Sequence, residues 1–341
     1  MGAPFPPPTP PGLSRRSLLR LGAASALTLL AGCDRQEPLL LASRGDLPAA
    51  WARRLPSPWR SQLLEDPARV LARASAPLTG LLQLSDGWAA ELRPTDLQPI
   101  GTPALIERLA PMAAPLARLH GPSGGGPLAF PWSYGPWVLV LRSRPDLARR
   151  RDEGWDLLLD PSLAGRLVLP SSPRVTIALV GKDPERLRRL RRAALAYDDR
   201  DGLSLLLTGE AEAAVLPRQR VVGLLRRDPR LQVLLPESGS PLSWNLLLRP
   251  AGPHPEAPLE WLGEALEPPL LGALLTGGWV PPLPRDQLQP ALAAFPAAIA
   301  ALLLPPQPVL ERCFSLAPLT SPERAALQGL WDGAAPDAPS V

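Results

Sequence analysis

Residues 137–141, Trp-Val-Leu-Val-Leu, are the clearest strand signal in the chain, because a short apolar run rich in β-branched and aromatic residues is typical of a buried strand. Residues 244–248, Trp-Asn-Leu-Leu-Leu, form a similar run, which Pro250 ends. Shorter runs of this kind occupy residues 39–42, 81–84, 166–169, 213–216 and 232–235. Helical segments separate these runs, so the sequence predicts an α/β protein with mainly parallel sheets.

The most regular helix signal begins at Asp183, which is a capping residue type followed by a proline and an acid in the first turn. The apolar positions that predict its buried face are Leu187, Leu190, Ala194 and Tyr197. Five arginines lie between residues 186 and 192. They are expected to form a solvated helix face, and a phosphate-binding patch is the alternative.

The composition is that of a globular protein, with 341 residues, 45% of them hydrophobic and 20% charged. This length is enough for about two domains. Lys182 and Asn245 are the only residues of their types, while prolines number 48. Two cysteines cannot form a disulfide framework or a four-cysteine zinc site. The two histidines, His120 and His254, lie in loop-like segments, so we expect them to be solvated and to bind no metal.

The first 33 residues have the pattern of an export signal. Arg15 and Arg16 lie in the segment Ser-Arg-Arg-Ser-Leu-Leu-Arg, which resembles a twin-arginine signal. An uncharged segment at 21–30 follows and is too short to span a bilayer. Residues 30–33, Leu-Ala-Gly-Cys, resemble a bacterial lipobox, which predicts a lipid on Cys33. The alternative is a short buried helix with a chance cysteine.

Processing at Cys33 changes the electrostatic interpretation of the chain. The formal net charge of +4 includes three arginines and no acid within residues 1–32. The mature chain would therefore carry a net charge of +1, and nucleic-acid binding loses its main support. Lipid chains on one residue anchor a protein to a membrane without spanning it.

The chain lacks a convincing catalytic pattern. Residues 121–125 match G-x-S-x-G, but a helix is expected before them and Gly126-Pro127 follows, so a flexible loop is the preferred interpretation. Glycine-rich nucleotide-binding motifs are also missing from the sequence. These observations favour a binding protein, without a cofactor, over an enzyme.

Several phrases, in this order, resemble the spermidine/putrescine-type solute-binding proteins of ABC importers. They are Leu-Ser-Asp-Gly-Trp at 84–88, Phe-Pro-Trp-Ser-Tyr-Gly at 130–135, Trp-Asp-Leu-Leu at 155–158 with Leu-Ala-Gly-Arg at 163–166, Thr-Gly-Glu-Ala at 208–211, Leu-Pro-Glu-Ser-Gly-Ser-Pro at 235–241, and Trp-Asp at 331–332. The resemblance covers about residues 38–332. It implies a type II periplasmic-binding fold, in which two α/β lobes enclose a ligand cleft.

This resemblance implies boundaries for the lobes. Lobe one would comprise 38–138 plus 246–332, and lobe two 139–245. The two crossings would lie near residues 137–141 and 244–248, and a disordered tail would occupy 333–341. Lobe closure on a ligand would be a hinge motion about the two crossings.

The resemblance also implies a set of cleft residues. They are Asp86, Gly87, Trp88, Trp132, Tyr134, Ser172, Arg174, Val175, Arg218, Trp244 and Asn245. Ser172, Val175 and Asn245 stand where the family carries acids for amine groups, so most of the expected negative charge is replaced. Only Asp86 remains as an obvious acid, and a neutral ligand or an anion paired with Arg174 or Arg218 becomes an alternative to a polyamine.

The sequence therefore predicts an exported, lipid-anchored, periplasmic solute-binding protein that is monomeric and delivers a small polar ligand to an ABC permease. Two alternatives remain open. One is an exported hydrolase or cofactor enzyme, and the other is a ligand-sensing lipoprotein without transport.

Overall fold

Eleven strands form the framework of the computed structural model, which describes residues 37–101, 103–122 and 126–336. The strands are β1 (Leu39–Ser43), β2 (Arg60–Leu64), β3 (Thr79–Ser85), β4 (Leu97–Gln98), β5 (Ala129–Arg142), β6 (Leu167–Leu169), β7 (Ala194–Tyr197), β8 (Ala213–Pro217), β9 (Leu231–Leu234), β10 (Pro241–Pro250) and β11 (Phe314–Ser315). Their order is β2-β1-β3-β10-β5-β8-β6-β7, with β4 and β11 on β10 and β9 on β5.

Helices connect the strands and cover the sheets. They are α1 (Ala49–Ala52), α2 (Pro67–Ala72), α3 (Asp86–Ala89), α4 (Pro103–Glu107), α5 (Ala114–Ala117), α6 (Pro145–Arg149), α7 (Pro173–Val180), α8 (Pro184–Ala193), α9 (Gly202–Thr208), α10 (Val222–Leu225), α11 (Leu259–Glu264), α12 (Leu270–Thr276), α13 (Arg285–Leu292), α14 (Ala297–Leu303), α15 (Gln307–Glu311) and α16 (Ser321–Gly333). Short 3-10 helices occupy Pro94–Asp96, Pro111–Ala113, Arg151–Leu159, Pro161–Leu163 and Arg218–Arg220. Among the described residues, none of the helices has the length and hydropathy that a membrane span requires.

Strand β5 belongs to two sheets and carries the chain between them. Its first half, up to Pro136, pairs antiparallel with β10 in the first sheet. From Trp137 onward it pairs with β8 and β9 in the second sheet. The parallel strands β1, β2 and β3 complete the first lobe, and β6, β7 and β8 the second. The outward crossing between the two sheets therefore lies between Pro136 and Trp137.

The return crossing lies before the predicted place. Residues 242–248 already pair with β5 in the first sheet, so Trp244 is well inside the first lobe. The chain returns between the end of β9 and the start of β10. There Ser240 donates a hydrogen bond to the carbonyl of Trp137 at 2.8 Å, and the Trp155 indole donates to the carbonyl of Gly239 at 2.9 Å. The first bond holds the two crossings side by side, and the second joins the return crossing to the second-lobe core.

Both faces of the second sheet are buried, because successive side chains of β5 point to opposite faces and each face meets an apolar cluster. Leu139 and Leu141 point into one apolar cluster, while Val138 and Val140 point into another. A strand buried on both faces must be apolar at every position, which is what the segment 137–141 shows. A third and larger cluster surrounds the first sheet.

Helix α16 departs from the predicted lobe boundaries. It begins with a reciprocal capping box between Thr320 and Glu323. Its residue Trp331 is buried in the second-lobe core, and the Arg191 guanidinium lies 4.7 Å from its ring centre. Ala334 is fully buried. The segment to residue 332 thus packs on the second lobe, and the tail predicted from 333 does not begin before 335.

Candidate functional site

The carboxyl ends of the parallel strands in the two lobes meet, and charged residues follow each of them. In the first lobe, Asp46 follows β1 and Asp86 follows β3. In the second lobe, arginines follow all three parallel strands. They are Arg174 after β6, Arg200 after β7, and Arg218 and Arg220 after β8. Ligands of open α/β sheets bind outside the carboxyl ends of strands, so this crevice is the candidate site.

Asp86 begins α3 and is the predicted acid of the cleft. Its carboxylate accepts a hydrogen bond from the backbone N–H of Trp244 at 3.1 Å, so it joins β3 to β10. Burial raises the pKa of Asp86 to about 6, even though backbone N–H groups and the charge of Arg174 act in the opposite direction. Trp88, two residues further along the same helix, exposes 37% of its surface. It is the exposed aromatic of the predicted set.

The other predicted aromatic residues lie in the first-lobe core. Trp132 has no exposed surface and packs against Trp51 and Trp279, with ring centres 5.0 and 5.1 Å apart. Tyr134 and Trp244 are also buried and stack on each other at 5.2 Å. These three residues offer no free ring face to a ligand here, which corrects the prediction that they line the cleft. The surrounding tryptophans are distant in sequence, so local patterns could not show this packing.

Asn245 lies on β10 at the floor of the crevice. Its register partners are Ser85 at the end of β3 and Ser133 on β5. It exposes 4% of its surface, and its side-chain oxygen accepts a hydrogen bond from the Gln83 amide at 3.3 Å. Gln83 is therefore the polar partner of this buried side chain. The Nδ2 of Asn245 and the Oε1 of Gln83 are buried and have no hydrogen-bond partner in the described part of the chain.

Arg174 lies in the first turn of α7, half-buried, and faces the first lobe. It donates to the carbonyl of Ala317, and its charge lowers the pKa values of Asp86 and His120. Val175, beside it, is buried in the second-lobe core. The pKa of His120 is lowered mainly by burial, and its Nε2 is buried without a partner among the described residues.

His120 was expected to be a solvated loop residue and is instead part of this cluster. It has a backbone φ of 60°, which is uncommon for a residue other than glycine, and it follows Leu119 with a φ of 49°. These two residues come one and two positions after Arg118, which follows the end of α5 at Ala117. In the sequence, the local indication of a turn at this place is Gly121, which follows His120. Ser123 of the G-x-S-x-G match lies outside the described residues.

Arg218 is buried completely between the lobes, so it cannot contact a ligand in this structure. Its guanidinium donates to the carbonyls of Tyr134 and Leu303 at 2.7 Å and of Leu302 at 3.3 Å. The last two carbonyls belong to the C-terminal turn of α14, where the helix dipole favours a cation. Burial lowers the pKa of Arg218 to about 10, which still leaves it charged at neutral pH. This residue joins the lobes, and its prediction as an anion ligand is corrected.

Other predicted features have a simpler outcome. In the described residues, no group of histidines, cysteines and acids has the arrangement of a metal site. Arg15, Arg16 and Cys33 lie outside the described residues, so the export signal and the lipid site remain predictions.

Comparison with known proteins identifies the fold. No protein-family model matches the chain, and no curated protein matches it. A putative spermidine/putrescine ABC transporter structure from Listeria monocytogenes matches 87% of this chain and 98% of its own, with a TM-score of 0.65 and 13% identity. The periplasmic binding protein MotA of A. tumefaciens B6, in complex with glucopine, matches 87% and 99%, with a TM-score of 0.64 and 12% identity.

A third similar structure is the TpPotD lipoprotein of Treponema pallidum, which matches 87% of this chain and 99% of its own, with a TM-score of 0.59 and 12% identity. The likeness runs over nearly the full length of all three proteins. The predicted two-lobed, type II periplasmic-binding fold with its inter-lobe crossings is therefore confirmed.

Proposed function

We propose that this chain is the solute-binding protein of an ABC importer, exported through its twin-arginine signal and anchored by a lipid on Cys33. The observation that carries the proposal is the meeting of the strand ends of two lobes, with Asp86 on the first lobe close to the charge of Arg174 on the second. Solved proteins with this fold include one described as a spermidine/putrescine transporter and one holding glucopine. One of them is a lipoprotein. The chain would act as a monomer and without catalysis.

The ligand end of the site is built from Asp86, Arg174, His120 and Asn245. Asp86 is the acceptor for a cationic group, and the Arg174 guanidinium is the donor for a carboxylate or another acceptor. The free amide hydrogens of Asn245 offer a second donor at the floor. A polyamine would bring several positive charges to a site in which Asp86 already lies near the positive charge of Arg174. We therefore expect a small polar solute with at least one acceptor group.

A matched series of four-carbon solutes tests both the function and the charge of the ligand. Putrescine, 4-aminobutanoate and succinate differ only in their end groups, and a wider panel of amino acids, sugars and phosphonates accompanies them. Stabilisation of the folded protein in thermal-shift assays measures binding. We expect 4-aminobutanoate or another solute with an acceptor end to stabilise the protein more than putrescine does.

Two variants connect binding to the site. Asp86→Ala removes the acceptor, whereas Glu107→Gln changes an exposed acid on α4 and serves as the control. Binding should fall in the first variant and persist in the second. If no small solute stabilises the folded protein, the proposed function is wrong; if both variants bind equally, the site is wrong.

A further inference from the structure

A second polar locus in the same crevice lies beyond β1, away from Asp86. Its acceptors belong to the first lobe and its donor is Arg200 of the second lobe. The Arg200 guanidinium donates to the Ser43 hydroxyl at 2.7 Å and to the carbonyl of Glu65 at 2.9 Å. It also lies 3.4 Å from the carbonyl oxygen of Arg44 and 3.6 Å from the Asp46 carboxylate.

These first-lobe groups have the chemistry of a site for a planar cation. Ser43 ends β1 and is fully buried, and Glu65 directly follows β2. A hydroxyl, two carbonyls and one carboxylate are all acceptors toward the guanidinium, which has five donors in a fixed plane and no acceptor. The acceptors are held by the ends of two paired strands, so they do not need to be ordered when the cation arrives.

The carboxylate of this locus is shared with a second arginine. Arg220 donates to Asp46 at 2.6 Å. Burial raises the pKa of Asp46, while the charges of Arg220 and Arg200 act against that rise. The first lobe thus holds one partly buried carboxylate here, and the second lobe supplies both of its counter-charges.

The second lobe presents Arg200 on a firm support. The turn after β7 is closed by Asp198, whose carboxylate accepts the backbone N–H groups of Arg200 at 2.8 Å and of Asp201 at 2.9 Å. The backbone N–H of Asp198 in turn donates to the carbonyl of Leu169 on the sheet at 2.9 Å. The guanidinium therefore projects across the crevice from a turn fixed to the second sheet.

We propose that Ser43, Asp46 and the Glu65 carbonyl form a guanidinium-binding site in the first lobe, and that Arg200 fills it as a ligand tethered to the second lobe. The lobes are then held together at this end of the crevice by the chain itself. A free solute would have to join the two lobes only at the Asp86 end of the crevice. This inference does not depend on which solute the protein carries.

Chemical rescue tests the proposal. Arg200→Ala empties the site, and Arg189→Ala, an exposed arginine on α8, is the matched control. Methylguanidinium is the probe, with methylammonium and sodium chloride at equal ionic strength as reference cations. We expect methylguanidinium to raise the melting temperature of Arg200→Ala saturably by a few degrees, and to raise neither the wild type nor the control. Methylammonium should be weaker, because it lacks the planar fork.

Two further measurements keep the outcome clear. The double variant Arg200→Ala with Asp46→Asn should lose the rescue, since it lacks the carboxylate. In small-angle scattering, Arg200→Ala without solute should have a larger radius of gyration than the wild type, and methylguanidinium should reverse the difference. If Arg200→Ala does not fold, Arg200→Gln is used with the same readouts. Equal effects of the probe on all variants, or no saturable effect on Arg200→Ala or Arg200→Gln, would overturn the proposal.

Discussion

Replacement of Asp86 by Asn should remove a specific part of the pH dependence of stability. The pKa of this carboxyl is about 6 in the folded protein, and its ordinary value is 3.8. The folded protein therefore binds this proton more tightly than the unfolded chain, so the group contributes more stability as the pH falls through 6 toward 4. The rise of this pKa from 3.8 to about 6 corresponds to about 3 kcal/mol in total. About 1 kcal/mol of it is gained between pH 7 and pH 5.

Urea unfolding at pH 5, 6 and 7 measures this difference. The histidines have lowered pKa values and contribute the opposite slope, but they do so equally in both proteins. The free energy of unfolding of the wild type minus that of Asp86→Asn should thus increase by about 1 kcal/mol from pH 7 to pH 5. Asp152→Asn, which changes an exposed acid, should follow the wild type. A constant difference between wild type and Asp86→Asn over this range would refute the assigned burial of the carboxyl.

Three other changes test separate parts of the molecule. Gly135→Ala should destabilise the fold by about 1–3 kcal/mol in urea unfolding, because a Cβ there would lie 2.9 Å from the buried Arg218 guanidinium; Gly223→Ala has open space and should cost less. Asn245→Ala should weaken the binding of the solute found by screening about tenfold, as measured by calorimetry, while the fold persists. An unchanged affinity would remove Asn245 from the site. Cys33→Ala should move the exported protein from the membrane fraction to the soluble fraction, and unchanged fractionation would contradict the lipid anchor.

Local sequence patterns predicted the interior of β5 better than its length. The apolar run at 137–141 is buried on both faces, as its composition indicated. The strand also extends back to Ala129 through Pro131, Gly135 and Pro136, which are residue types that break strands in local rules. Those residues form a strand because β10 pairs along that half, with a register shift at Asn245. Such pairing is invisible in a window of a few residues.

Helix α8 is an element whose start follows from the local sequence but whose end does not. Its cap was predicted correctly, since the Asp183 side chain accepts from the backbone N–H of Arg186 at 2.9 Å, and Leu187 and Leu190 are fully buried. The helical periodicity continued to Tyr197, yet the helix ends at Ala193. The next four residues pair with β6 as strand β7 instead. Sheet pairing there outweighs a local preference of a few tenths of a kcal/mol per residue.

The amino-acid sequence by itself determined the burial of β5 on both faces. Successive side chains of a strand point to opposite faces, and every residue from 137 to 141 is apolar. The sequence also places charged residues after the strands, among them Asp46, Asp86 and Arg200. Only the tertiary structure decided which of those charges meet, since Arg200 and Ser43 are 157 positions apart and come together through the crossing of the chain between lobes. Contacts between distant segments also buried Trp132 against Trp51 and Trp279, and Arg218 against Tyr134 and Leu303, although the family resemblance had implied that both residues line the cleft. Burial and charge pairing are properties of contacts between distant segments, and the fold supplies those contacts.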